Sequence, residues 1–124
     1  MAHSRTVADV MAAMQLRYPA QYAQDWDRIG LVCGEPASQV RAVSLVVDVT
    51  DETVAQAVEI GADLLIAHHP LLLAGVHSVA TDTSKGRLLH RLITAGIALY
   101  VAHTNADAAS PGVSDALAVA IGLN

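Results

Sequence analysis

At 124 residues, 53% of them hydrophobic and 15% charged, the chain has the length of one domain and enough apolar side chain to bury a core. Seven Lys and Arg against twelve Asp and Glu leave a formal net charge of −5, so the chain lacks the basic excess that a generic nucleic-acid binder needs to neutralise phosphates. The single cysteine, Cys33, excludes an internal disulfide or a multi-cysteine zinc cluster, and with no signal-type segment and no stretch near the ~20 apolar residues of a membrane span, the expected setting is the cytoplasm.

Phe is absent, so the interior must be built from Val, Ile, Leu and Ala, a mixture that favours buried parallel strands and Ala-rich helices. Val7, Val10, Met11 and Met14 fall at i, i+3, i+4 and i+7, and Thr6 followed by Asp9 has the form of a capping box, which predicts a helix over residues 7 to 17. Tyr18-Pro19 ends it, because the residue before proline is pushed out of helical geometry, and the polar stretch to Arg28 reads as loop. Leu31-Val32-Cys33 is a short strand stopped by Gly34 and Pro36. Val43 to Val49 is a β-branched apolar run, too continuous for a half-exposed strand, and is expected at the centre of a parallel sheet.

A helix follows directly. Thr50, Asp51 and Glu52 form its polar, acidic first turn, Val54, Ala57 and Val58 its inward stripe, and Gly61 suits the left-handed residue past its end. Leu64 to Ala67 is the next strand and completes a βαβ unit. After a loop over residues 70 to 83 the pattern repeats, with Leu88, Leu89, Leu92 and Ile93 marking a helix, Gly96 its end, and Ile97 to Ala102 a strand. Ser110-Pro111 is expected to start a last helix whose inner face carries Val113, Leu117, Ala120 and Ile121, with Gly122 beyond it. The fold class implied is α/β: a three-layer, mostly parallel sheet flanked by helices and built from βαβ units.

In such a chain the residues that leave each parallel strand gather on one edge of the sheet, where these folds bind ligands. The strands here lead into Asp48 and Asp51, into His68-His69-Pro70, and into His103 with Asp107 four residues on. Neutral imidazole and carboxylate suit zinc, manganese, iron or nickel, which makes His68, His69, His103 and Asp107 the candidate metal ligands, and Asp48 and Asp51 candidate hydrogen-bond partners behind them. Adjacent histidines on an extended backbone point to opposite sides, so His68 and His69 are expected to serve two different ions about 3.5–4 Å apart. Thr104-Asn105 reads as a turn.

Other candidates have plainer explanations. His77 lies in a loop, His90 on a predicted helix beside Arg91 and His3 at the chain start, none of them placed near the cluster. No base is placed beside Cys33, which suits a small buried apolar role. Trp26 reads as a local packing anchor and Asp25, Asp27 and Arg28 as solvated charges. Gly30, Gly34 and Gly86 match neither phosphate-loop spacing.

Three stretches together resemble the NIF-three-like family, whose members go by the name type 2 GTP cyclohydrolase I: Trp26-Asp27-Arg28-Ile29-Gly30-Leu31, Asp63-Leu64-Leu65-Ile66-Ala67-His68-His69-Pro70-Leu71-Leu72, and Tyr100-Val101-Ala102-His103-Thr104-Asn105-Ala106-Asp107. The resemblance runs over nearly the whole chain. It implies a dinuclear metal centre inside a ring-shaped homo-hexamer, two divalent ions held by His68, His69, His103 and Asp107, and hydrolysis of a purine nucleotide ring. The family usually carries Asn where Arg28 stands and Asn near Ser114. Its members are longer and supply a further His and Glu, so residues 1–124 are expected to be a single α/β domain corresponding to the N-terminal half of such a protein. The competing expectation is a non-catalytic metal-binding oligomeric scaffold.

Overall fold

The computed structural model of the chain describes residues 4–123. In chain order its elements are β1 (Arg5–Thr6), α1 (Val7–Arg17), a 3-10 turn (Ala20–Tyr22), β2 (Gly30–Cys33), β3 (Gln39–Val40), β4 (Val43–Val46), α2 (Asp51–Glu59), β5 (Leu64–Ala67), α3 (Ser84–Thr94), β6 (Ala98–Val101), α4 (Thr104–Ala108) and α5 (Val113–Ala120). The expected capping box opens α1: Thr6 Oγ1 accepts from the Asp9 amide at 3.2 Å, and Asp9 Oδ2 accepts from the Thr6 amide at 2.8 Å. Gly61 and Gly96 stand at φ 66° and 71° just past α2 and α3, the left-handed conformation in which glycine has no Cβ to clash.

The main sheet has the order β2-β6-β5-β4. β4, β5 and β6 run parallel, β2 is antiparallel to β6, and β1 and β3 form a separate two-stranded ribbon. Strand alternation divides the interior into two layers. Leu65, Ala67, Leu99 and Val101 face Val54 and Ala57 of α2 and Leu88 and Leu92 of α3. On the other side Leu64, Ile66, Ala98 and Tyr100 meet Val7, Val10, Met11 and Met14 of α1. Helices on both faces of a mostly parallel sheet make this the α/β architecture expected from the pattern.

Three expectations need correction. The run from Val43 is not a central strand: β4 stops at Val46 and lies at the sheet edge, where Leu45 is 75% and Val47 58% exposed. Its alternate residues point past α1 to a face that no described element covers, so continuity of apolar sequence was no sign of two-sided burial. Second, Thr104-Asn105 does not end in a simple turn but opens the short helix α4, with His103 at its N-cap. Third, α5 starts at Val113 rather than at Pro111; Gly112 is its N-cap, and Asp115 Oδ2 accepts the Gly112 amide at 2.9 Å. Val113, Leu117 and Ile121, read as an inner face, are exposed.

The β4–β5 register is fixed at its start by one carboxylate. Asp63 Oδ2 accepts the amides of Arg41 and Ala42 at 2.8 and 3.1 Å, and Oδ1 accepts from the Arg41 guanidinium at 3.1 Å. The Arg41 side-chain hydrogen bond, helped by both amides and opposed by burial, holds the Asp63 carboxyl below its ordinary 3.8. A carboxyl depressed in the folded state stabilises above its unfolded pKa and loses that contribution as pH falls through its folded value. Asp63→Ala is expected to lower stability near neutral pH by about 1–2 kcal/mol. Urea unfolding midpoints of variant and parent should converge below pH 3.8; a gap that stays constant through that range would show that the carboxylate is not the clamp.

Candidate functional site

Parallel pairing aligns Val46 with Ala67 and Ala67 with Val101, so the segments leaving β4, β5 and β6 stand side by side on one sheet edge. There the rings of His68, His69 and His103 lie with centroids 5.2, 5.2 and 5.5 Å apart, and one nitrogen from each falls within 4.8 Å of the others. His68 and His69 do not splay to opposite sides. Their consecutive amides donate to the consecutive carbonyls of Val46 and Val47, at 3.1 and 2.8 Å, which breaks the two-residue alternation of a strand and turns both rings the same way.

Each ring is held through its Nδ1. That of His68 lies 3.0 Å from the Ala102 carbonyl, that of His69 2.7 Å from Asp48 Oδ1, and that of His103 3.0 Å from Asp27 Oδ1. All three partners are acceptors only, so Nδ1 must carry the proton and in the neutral imidazole Nε2 keeps its lone pair. Three neutral rings each turned by a carbonyl or carboxylate are the arrangement that metal-ligating histidines use to fix tautomer and raise basicity. The donor set therefore fits a borderline divalent ion.

Asp107, one helical turn after His103 on α4, brings Oδ1 to 3.5 Å from His68 Nε2 and stands beside the three-imidazole group rather than within it. Asp48 is where the sequence placed it, behind His69. Asp51 is not: its carboxylate accepts from Arg87 at 3.1 Å and Arg91 at 3.3 Å and ties α2 to α3, away from the cluster. His77 and His90 are exposed and outside the cluster, and His3 lies outside the described residues.

Asp27 is the site residue that charge counting missed. It is 7% exposed and accepts from His103 Nδ1, the Thr104 hydroxyl, the Thr104 amide at 2.9 Å and the Arg28 amide at 2.8 Å. Burial pushes its carboxyl up, but the Thr104, His103 and Arg28 hydrogen bonds outweigh that and bring it down to about 2. Asn105, fully buried, accepts the His103 amide at 3.0 Å and donates to the Tyr18 carbonyl at 2.8 Å, which pins the start of α4 to the end of α1. Short range gave no signal for Asp27, because the partners that place it in the site, His103 and Thr104, lie more than seventy residues along the chain. Trp26 is no packing anchor; it is 55% exposed, with its ring centroid 6.0 Å from that of His103.

A parallel-sheet edge carrying three Nδ1-anchored imidazoles defines an α/β protein with a histidine cluster able to hold a metal ion. The chain belongs to the Duf34/NIF3 (NGG1p interacting factor 3) family, whose profile matches residues 5–124. A Streptomyces coelicolor protein named GTP cyclohydrolase 1 type 2 homolog is 53% identical over 118 residues, 95% of this chain and 41% of the relative. A Mycobacterium tuberculosis protein of the same name is 55% identical over 117 residues, 94% of this chain and 30% of the relative. The chain thus spans less than half the length of these relatives. Among solved structures, a Bacillus cereus protein related to NIF3 superposes with a TM-score of 0.92 at 38% identity, covering 98% of this chain and 34% of that one. Reduced HcgD from Methanocaldococcus jannaschii gives a TM-score of 0.86 at 27% identity, covering 96% and 48%. None of the described helices is long and apolar enough to cross a membrane.

Removing the Asp27 carboxylate would strand four part-buried donors at once. Asp27→Ala is expected to cost about 3 kcal/mol or more in chemical denaturation, whereas Asp48→Ala, at an exposed carboxylate, should stay within about 0.5 kcal/mol of the parent. Equal losses from the two would mean that burial does not separate their roles.

Proposed function

We propose that the chain is the metal-binding unit of a metal-dependent hydrolase, holding two divalent ions with His68, His69, His103 and Asp107 and acting on a purine nucleotide ring in the manner of type 2 GTP cyclohydrolase I. The observation that carries this reading is the common anchoring of the three Nδ1 atoms, which leaves Nε2 as the open nitrogen on each of three rings whose ligand atoms lie within 4.8 Å of one another. The names of the relatives supply the substrate class. A bound divalent ion would supply Lewis acidity, lowering the pKa of water and polarising the substrate bond.

The chain's own residues prepare the donors. Asp27 and Asp48 hold His103 and His69 in the ligand tautomer, and the Ala102 carbonyl does the same for His68. His69, the most open of the three, faces the side from which a substrate can approach, while His68 and His103 are largely covered. Asp107, with Oδ1 3.5 Å from His68 Nε2, is the carboxylate we assign to a second ion. Zinc, manganese, iron and nickel all suit these donors. Four protein donors leave each of two ions with open positions for water, substrate or a partner subunit.

A second reading, a metal-binding oligomeric scaffold without turnover, is favoured by one observation: Leu45, Val47, Leu117, Val119 and Ile121 are all exposed. Burial of such side chains between subunits agrees with a cytoplasmic homo-oligomer, of which a hexameric ring is the form we propose, in either case.

Metal uptake by the purified chain near neutral pH is expected to fall at least tenfold in His69→Ala and Asp107→Ala and by about 10- to 100-fold in Asp48→Asn, and to be unchanged in Asp51→Asn. Turnover of a nucleotide panel with added manganese or zinc should be lost in the first two. Metal uptake that depends on these residues without any turnover would select the scaffold; no uptake of zinc, manganese, iron or nickel by the parent would remove both readings.

A further inference from the structure

Trp26 is the only tryptophan of the chain, and its surroundings are unusual for so large an apolar group. It belongs to neither core cluster, more than half of it is open, and among the described residues its one aromatic neighbour is the ring of His103, at 6.0 Å and 75°. An indole of this kind normally gains its place by burying 150–250 Å², roughly the whole side chain. Here the place is set by the next residue. Asp27 is locked by hydrogen bonds to His103, Thr104 and Arg28, and the preceding loop is tied by the Gln24 amide to the Thr104 hydroxyl at 3.0 Å. The same clamp that orients a ring of the cluster therefore holds the backbone that carries an exposed indole one ring away from it.

We propose that Trp26 is a stacking platform that holds a planar heteroaromatic ring of the substrate, a purine base, against the mouth of the histidine cluster. The inference rests on the hydrolase reading above and adds the residue that selects the base. An exposed π-face on a clamped backbone has only its side-chain rotation to lose on binding, and stacking accepts any flat ring, so selectivity here would be for a base over its sugar and phosphates. Trp26 acts by contact with the non-reacting face of the base, and the cluster by contact with the ring atoms to be attacked.

The single tryptophan makes its own probe. Fluorescence excited at the red edge of indole absorption is followed while guanosine 5′-triphosphate, guanosine or ribose 5-phosphate is added to the metal-loaded chain, with free N-acetyltryptophanamide as the control for absorption by the base. Saturable quenching by the two base-bearing ligands and none by ribose 5-phosphate is expected. Calorimetry should show guanosine triphosphate bound roughly tenfold or more weakly by Trp26→Leu and close to parental by Trp26→Phe. Metal content measured on the same samples should be unchanged in both variants, which establishes that the site is folded. Equal quenching by ribose 5-phosphate, or equal binding by Trp26→Leu with metal intact, would overturn the stacking role while leaving the metal reading standing. Base-dependent quenching in a chain that takes up no metal would do the reverse, and absence of both would remove the two together.

Discussion

Parallel pairing of β4, β5 and β6 is the constraint on which the rest of the molecule depends. Parallel strands all point their C-terminal ends the same way, so whatever follows each strand is delivered to one edge irrespective of its distance along the chain. His68 and His103 are thirty-four positions apart from the Ala102 carbonyl and seventy-six from Asp27, respectively, in the hydrogen bonds that orient them, yet each partner is an immediate neighbour in space. The apolar strands provide rigidity: Leu64, Leu65, Leu99 and Val101 are fully buried between helices on both faces. Positions at the edge inherit that rigidity without needing bulk of their own.

The histidine cluster is a polar assembly at the end of an apolar one, and its cost is met by hydrogen bonding. Among the described residues no buried side-chain nitrogen or oxygen lacks a partner. Asp27 shows why this matters. A buried carboxylate alone would be driven toward its neutral form, but its several donors reverse that and keep it charged down to about pH 2. A charged acceptor behind His103 is a stronger determinant of ring orientation than the backbone carbonyl behind His68.

Local periodicity made α1, α2 and α3 and their ends legible: the capping box at Thr6 and the glycines after α2 and α3 involve residues within one turn of each other, so sequence adjacency and spatial adjacency coincide. The βα alternation was likewise enough to bring His68, His69 and His103 to one edge. Two kinds of information were not local. Whether an apolar strand is central or peripheral depends on strand order, and Val43, Leu45 and Val47 carry the same residue types that a central strand would. Which acidic residue supports a histidine depends on long-range geometry. Asp51 stood close behind β4 yet serves Arg87 and Arg91, whereas Asp27, in a loop that looked merely polar, serves His103.

The turn of the backbone at His68-His69 converts an assumption about strands into a different distribution of donors. Had the pleat continued, the two imidazoles would have faced opposite sides of the sheet and each would have needed a separate set of partners. With consecutive amides bound to Val46 and Val47, both rings join His103 in one group, and Asp107 is the donor set apart from it. Any ion held by the three imidazoles is therefore nitrogen-rich, and any second ion nearby must be met first by a carboxylate. Such asymmetry between positions matters to any bound ion, since softer nitrogen donors and harder oxygen donors favour different ions and different charges on bound ligands.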